Sequence, residues 1–238
     1  LYLNWKGSGI VIDPGYHFIE NMHREGLDIL DIHAVVVTHE HIDHTNDIRL
    51  LDDLNASIQR YATRQHPKRE KIKWYLDSVT YELAKTLQDG KSGFLPEANE
   101  LYKILPARDA IAWEEEKDDK EISIGEGIPL DKEKNIIMQI VRTLHKKKDD
   151  AAGSTGAEKY REHTYAVSFV LKADKKDRKV FYTSDTRFEE TLARHAQGSD
   201  IVIANISSIY EDDILRIKRK ETHLGYMGCY DLLMSMKE

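Results

Sequence analysis

Four ligand-type side chains fall within six residues at His39-x-His41-x-Asp43-His44, directly after the apolar run Ala34-Val35-Val36-Val37. The run reads as a buried strand that delivers Thr38 into a loop, and a loop at a strand end can turn all four side chains inward. The strand must be covered while the polar cluster at its end stays together, so this stretch constrains the fold more than any other. Three imidazoles offer neutral nitrogen donors and Asp43 offers a hard oxygen, a mix that suits zinc and, less selectively, manganese or iron. A solvent-facing histidine-rich loop is the bland alternative, but such density after a buried strand has no packing explanation.

The rest of the chain alternates strand and helix signals. Leu1 to Trp5 and Gly9 to Asp13 are short β-prone runs joined by Lys6-Gly7-Ser8, which reads as a hairpin. Tyr16 to Glu25 carries Phe18, Ile19 and Met22 and stops at Gly26, as a helix does. A further helix is expected from Asn46 to Leu54, a strand at Ile72 to Leu76, and a helix at Thr80 to Leu87 ending near Gly90. The charge run from Glu114 to Glu121 reads as a solvated hairpin tip. Asn135 to Thr143 reads as a strand ending at Leu144-His145, Thr164 to Ala173 as a second, and the polar stretch from Lys146 to Glu162 as a long loop between them. Lys179 to Thr183 forms a strand ending in Ser184-Asp185-Thr186. Arg187 to Gln197 follows as a helix closed by Gly198, and Asp200 to Ile206 as a buried strand. With no repeat and no linker, residues 1–238 are expected to form one α/β domain.

Composition excludes several classes. Hydrophobic content of 40% with 32% charged residues is that of a globular chain and not a disordered one. No apolar run approaches the ~20 residues needed to cross a bilayer, and Leu1-Tyr2-Leu3-Asn4-Trp5 does not resemble a signal peptide, so no membrane partner and a cytoplasmic location are expected. Cys229 is the single cysteine, which leaves histidine and carboxylate to hold any metal. The net charge of −7 argues against a broad nucleic-acid footprint.

The remaining candidate ligands also stand at strand ends. His145 closes one strand, Asp185 closes another, and His223 sits in Thr222-His223-Leu224-Gly225-Tyr226 ahead of a helical stretch. Singly, each is more often an ordinary surface or core residue. Three at the same edge of one sheet point to a site.

Taken in order, Asp13 in Ile10-Val11-Ile12-Asp13-Pro14-Gly15, the His39 to His44 cluster, His145, Asp185 and His223 resemble the motifs of the metallo-β-lactamase superfamily of metallo-hydrolases. The resemblance implies an αββα sandwich, two mixed sheets face to face with helices outside, and a dinuclear site along one sheet edge. It implies two divalent ions, zinc first, with manganese or iron as options. His39, His41 and His145 would bind one ion, Asp43, His44 and His223 the other, and Asp185 would bridge. His163 lies within reach of the role given to His145, which is preferred because it closes a strand whereas His163 precedes one. Two ions about 3.5–4 Å apart need an anionic bridge and a shared water that they acidify. Asp13 would orient a ligand histidine through its other ring nitrogen. Against the family pattern, the opening strand before Leu1 and the strand after the Leu232-Leu233 helix are missing.

Within the superfamily, oxygen-reducing diiron sites carry a carboxylate at the second histidine position, and His41 here argues against redox chemistry. Zinc β-lactamases commonly carry a cysteine in place of Asp185. The stretch from Thr183-Ser184-Asp185-Thr186-Arg187 to Gly198-Ser199-Asp200 is similar to the phosphodiesterase branch, which includes tRNA 3′-processing endonucleases and cyclic-nucleotide phosphodiesterases. That likeness implies hydrolysis of a phosphodiester in RNA or in a cyclic or linear nucleotide, with Asp43, Asp185 and His223 in the catalytic machinery. Arg187 would clamp a phosphate oxygen, or else form a helix-start salt bridge with Glu189 or Glu190. His223 or His163 would protonate the leaving group, His163 from the substrate side. No tRNA-binding arm is recognisable, and Asn205 stands where the branch often has an acidic residue. Lys146, Lys147 and Lys148 either guide an anionic substrate or belong to a solvated loop. The alternatives are a thioester or lactone hydrolase of the glyoxalase II type and a metal-binding scaffold without activity. Dimers are common in the branch, so a homodimer is an open option.

Overall fold

Lys6 and Gly7 both take the left-handed backbone conformation, with φ of 50° and 83°. Two successive positive angles make the tight turn whose twist matches paired strands. The turn joins β1 (Tyr2–Trp5) to β2 (Ser8–Ile12) in an antiparallel hairpin. This computed structural model describes residues 1–61, 72–76, 80–81, 127–146, 162–208 and 223–236, with the backbone alone at 142, 144–146, 162 and 163. The chain divides into two compact units, each built on its own mixed sheet.

The first unit comprises Leu1–Asp118 and Leu130–Glu133. Its sheet runs in the order β1, β2, β3 (Ile32–Val37), β4 (Lys73–Leu76), with β2, β3 and β4 parallel. Every residue of β2 is buried, as is Ala34 to Val37 of β3, which is what a strand covered on both faces requires. Helices α1 (Phe18–Arg24) and α3 (Ile48–Arg60) lay Ile19, Met22, Ile48 and Leu51 into one core with Val35, Val37 and Trp74. Between them sits the single turn α2 (Ile42–Thr45). Helix α3 runs past the expected end at Leu54 because the apolar spacing continues to Ile58, packed on the same core.

The second unit comprises Asp119–Pro129 and Lys134–Glu238. Its sheet runs β5 (Ile128–Pro129), β6 (Ile136–Lys146), β7 (Glu162–Leu171), β8 (Arg178–Tyr182), β9 (Ile201–Ile203), antiparallel except for the parallel β8–β9 pair. Helices α4 (Glu190–Ala196) and α5 (Tyr226–Ser235) bring Leu192, Ala196 and Leu232 onto Val141, Ala166 and Phe181. A small parallel pair, β10 (Ile206–Ser208) with β11 (Leu224–Gly225), completes the unit.

Three further sequence expectations change. The run Asp200 to Ile206 is not one buried strand. It breaks at Ala204-Asn205 into β9 and β10, and Ile201 is 55% exposed because β9 is the sheet edge. Helix α4 begins at Glu190, not Arg187, since Glu189 is still extended at φ −145°, ψ 145°. His163 lies inside β7, opposite Leu144, and does not precede the strand; His145 falls at the register shift between Leu144 and Lys146. Strand position therefore does not separate the two histidines. The helix expected over Thr80 to Leu87 lies beyond Tyr81 outside the described residues, as do the charge run from Glu114 to Glu121 and Lys147-Lys148. Among the described residues, no helix is long and apolar enough to cross a membrane.

Candidate metal centre

In the first unit the parallel strands β2 and β3 end side by side, so the turn after one meets the loop after the other. Asp13 follows β2 in the left-handed region, at φ 48°, and its N–H donates to Val36 O at 2.9 Å. A residue with a β-carbon is strained there by roughly 1–2 kcal/mol. The strained turn aims the Asp13 carboxylate at the start of the ligand loop. Oδ1 accepts from Thr38 N at 2.8 Å. Oδ2 accepts from Thr38 Oγ1 at 2.8 Å and faces His44 Nδ1 at 2.9 Å.

These contacts decide how two imidazoles are presented. A carboxylate oxygen only accepts, so His44 Nδ1 donates to it and the ring's lone pair sits on Nε2. Thr38 Oγ1 uses its proton on Asp13 and lies 3.2 Å from His39 Nδ1, from which it accepts, placing the lone pair of His39 on Nε2 as well. One carboxylate thus orients His44 directly and His39 through a hydroxyl. His39 and His44 are 1% and 4% exposed, and their ring centroids lie 4.2 Å apart. His39 and His41 meet edge to face at 4.6 Å. Asp43, in the first turn of α2, is exposed and has Oδ2 3.7 Å from His44 Nε2. Ligand atoms of His39 and His41 lie within 4.8 Å of each other, as do those of Asp43 and His44.

The loop is held from behind by Pro14-Gly15. Asp47 N donates to Pro14 O at 2.9 Å, and a β-carbon at Gly15 would collide with the backbone carbonyl of Asp43. Asp47 also accepts from Ile19 N at 3.0 Å, tying α1 to the same turn.

The second unit presents Asp185 and His223. Asp185 follows β8 and Ser184, which sits at φ 55°, and it is 4% exposed. Its backbone oxygen accepts from Thr164 Oγ1 at 2.5 Å, and Thr164 Oγ1 is 2.7 Å from Thr143 Oγ1 across the β6–β7 pair. Its carboxylate Oδ1 accepts from Asn205 Nδ2, and Oδ2 lies 3.2 Å from His223 Nε2. Arg187, two residues on, directs Nε to Glu189 Oε1 at 3.2 Å, so of the two readings left open for it the salt bridge with Glu189 is formed.

The donors fit a divalent metal. In the first unit two imidazoles with their lone pairs on Nε2, beside His41 and the Asp43 carboxylate, are donors of the kind such an ion binds. Sequence reasoning gave no role to Thr38, Thr164 or Asn205. A hydroxyl residue directly before a candidate ligand is the signal that would have found Thr38; the contact of Thr164 with Asp185 joins segments distant in sequence.

Over residues 9–238 the sequence matches the beta-lactamase superfamily domain. The chain belongs to the beta-lactamase superfamily. Members of this superfamily are generally hydrolases, and the fold implies divalent-metal binding. The metallo-β-lactamase fold protein YhfI from Bacillus subtilis superposes with a TM-score of 0.60 at 14% identity, over 99% of this chain and 73% of that one. Human tRNase Z, short form, gives 0.58 at 13% identity, over 99% and 80%. A long form RNase Z from yeast gives 0.55 at 15% identity, over 96% and 31%. No curated protein matches the sequence significantly. The metallo-β-lactamase fold accounts for the α/β architecture with two mixed sheets.

Asp13→Asn is the milder test of the superfamily site. The amide keeps an acceptor for Thr38 N but presents a donor to groups that need an acceptor. Loss of an outer partner of a ligand histidine typically costs about 10–100-fold in metal affinity, and a chelator competition should read that loss.

Proposed function

We propose that the chain is a dinuclear-metal phosphodiesterase acting on RNA or on a small nucleotide. The observation that carries this reading is the Asp13–Thr38 arrangement, which engages Nδ1 of both His39 and His44 and leaves the lone pair of each ring on Nε2 for a metal. His39, His41, Asp43 and His44 are the ligands from the first unit. Asp185, His223 and one of His145 or His163 would be those from the second, Asp185 serving as the anionic ligand common to the pair. Two divalent ions, zinc first, would acidify water and stabilise charge on the phosphoryl oxygens.

The chain's own residues supply the rest. Arg187 has its Nε engaged by Glu189, which leaves the Nη groups as its donors for a phosphate oxygen. His223 or His163 gives a proton to the leaving oxygen. Likeness to human tRNase Z and yeast RNase Z favours a phosphodiester over a thioester.

Hydrolysis of bis-p-nitrophenyl phosphate, set against a thioester, tests the reading. Turnover of the phosphodiester with Zn²⁺ or Mn²⁺ supports it; turnover of the thioester alone rejects it. A screen over RNA, single-stranded DNA and cyclic nucleotides then names the substrate. Arg187→Ala should raise KM for phosphodiesters about 10–100-fold with a smaller change in kcat, as loss of a charge-assisted hydrogen bond of about 1.5–3 kcal/mol implies. Exchanging His145 and His163 separately for Ala should lower metal content in one variant only, and that variant identifies the ligand.

A further inference from the structure

Asn205 stands in the two-residue break between β9 and β10, and among the described residues its backbone and side-chain N–H groups both donate to the segment that carries Asp185. Its backbone N–H donates to Thr183 Oγ1 at 3.0 Å, and Thr183 Oγ1 donates onward to Ser184 O at 3.0 Å. That fixes the asparagine backbone against the turn leading into Asp185. Its side-chain Nδ2 donates to Asp185 Oδ1, while Oδ2 of the same carboxylate faces His223 Nε2. The two carboxylate oxygens therefore have different neighbours, one an amide and the other an imidazole.

We propose that Asn205 is a positioning residue for Asp185, holding Oδ1 so that the carboxylate meets the metal ions in one orientation. An amide suits this task because its nitrogen only donates and it carries no charge. A carboxylate at 205 would set two acceptors against each other in hydrogen-bond contact. Outer partners of carboxylate ligands fix orientation in this way, and their loss typically lowers metal affinity about 10–100-fold. The inference rests on the metal-centre reading given above and extends it to a residue outside the ligand set.

Asn205→Leu removes the donor and keeps the side chain near its original size. The apo variant is checked for folding by far-UV circular dichroism and melting temperature, and Zn²⁺ and Mn²⁺ affinities are read by chelator competition. The same exchange is then made in an Asp185→Asn background. The expected result is a loss of about 10–100-fold in the otherwise unchanged chain and a loss under about threefold where Asp185 is already altered, because the residue acts through that carboxylate. Equal losses in both backgrounds, or a change under about twofold in the first, would overturn the proposal. If Asn205→Leu does not fold, Asn205→Ala, which leaves space in place of a mismatched apolar group, carries the comparison. An unaltered chain that binds no metal would instead overturn the metal-centre reading, so the two failures are distinguishable.

Discussion

Asp185→Ala is expected to lower phosphodiester hydrolysis at least about a thousandfold while the protein still folds. A metal ion contributes several kcal/mol of charge stabilisation, and about 1.4 kcal/mol is tenfold in rate. With Asp185 in the proposed role of shared carboxylate, its removal takes that away at its source. The fold is spared because residue 185 keeps an anchor in the second unit through its backbone oxygen, which accepts from Thr164 Oγ1. Alanine keeps that bond. Steady-state kinetics and melting temperature together check the outcome; a variant with retained activity would place the bridge elsewhere.

Gly15→Ala should damage the His39 to His44 loop of the first unit. The new β-carbon would meet the Asp43 carbonyl oxygen and carbon and approach His44 N to 3.3 Å. All three are backbone atoms, so no side-chain rotation relieves the overlap, and the Asp13-Pro14-Gly15 turn or the ligand loop must move. Overpacking of this kind costs about 1–3 kcal/mol, which for a chain of this size is roughly 2–12 °C in melting temperature at about 2–4 °C per kcal/mol. The displaced residues carry the ligands, so metal affinity should fall about 10–100-fold as well. Calorimetry and chelator competition read the two effects. Unchanged affinity with a lowered melting temperature would mean that the turn supports the fold but not the ligands.

The ligand cluster was legible because it breaks composition rules locally: four donors after Ala34 to Val37 have no packing reason to be there. The strands of both sheets were legible for the complementary reason, their β-branched runs having nowhere to go but a core. Less visible was anything set by pairing between distant segments. The extension of β7 back through His163 follows from its register against β6, and the break that leaves Asn205 beside Asp185 follows from β9 being an edge strand. Arg187 shows the limit of a local signal. Its sequence context allowed a helix start, yet the extended Glu189 keeps it in the loop. Thr38 was in plain view before His39, but its role depends on an Asp13 carboxylate 25 residues away.

Metal content is the measurement that bears most directly on this account. Protein purified under native conditions without chelator, and analysed by inductively coupled plasma mass spectrometry, should carry close to two equivalents of zinc, manganese or iron. A folded protein that carries none, and takes up none when these ions are supplied in excess, would contradict it.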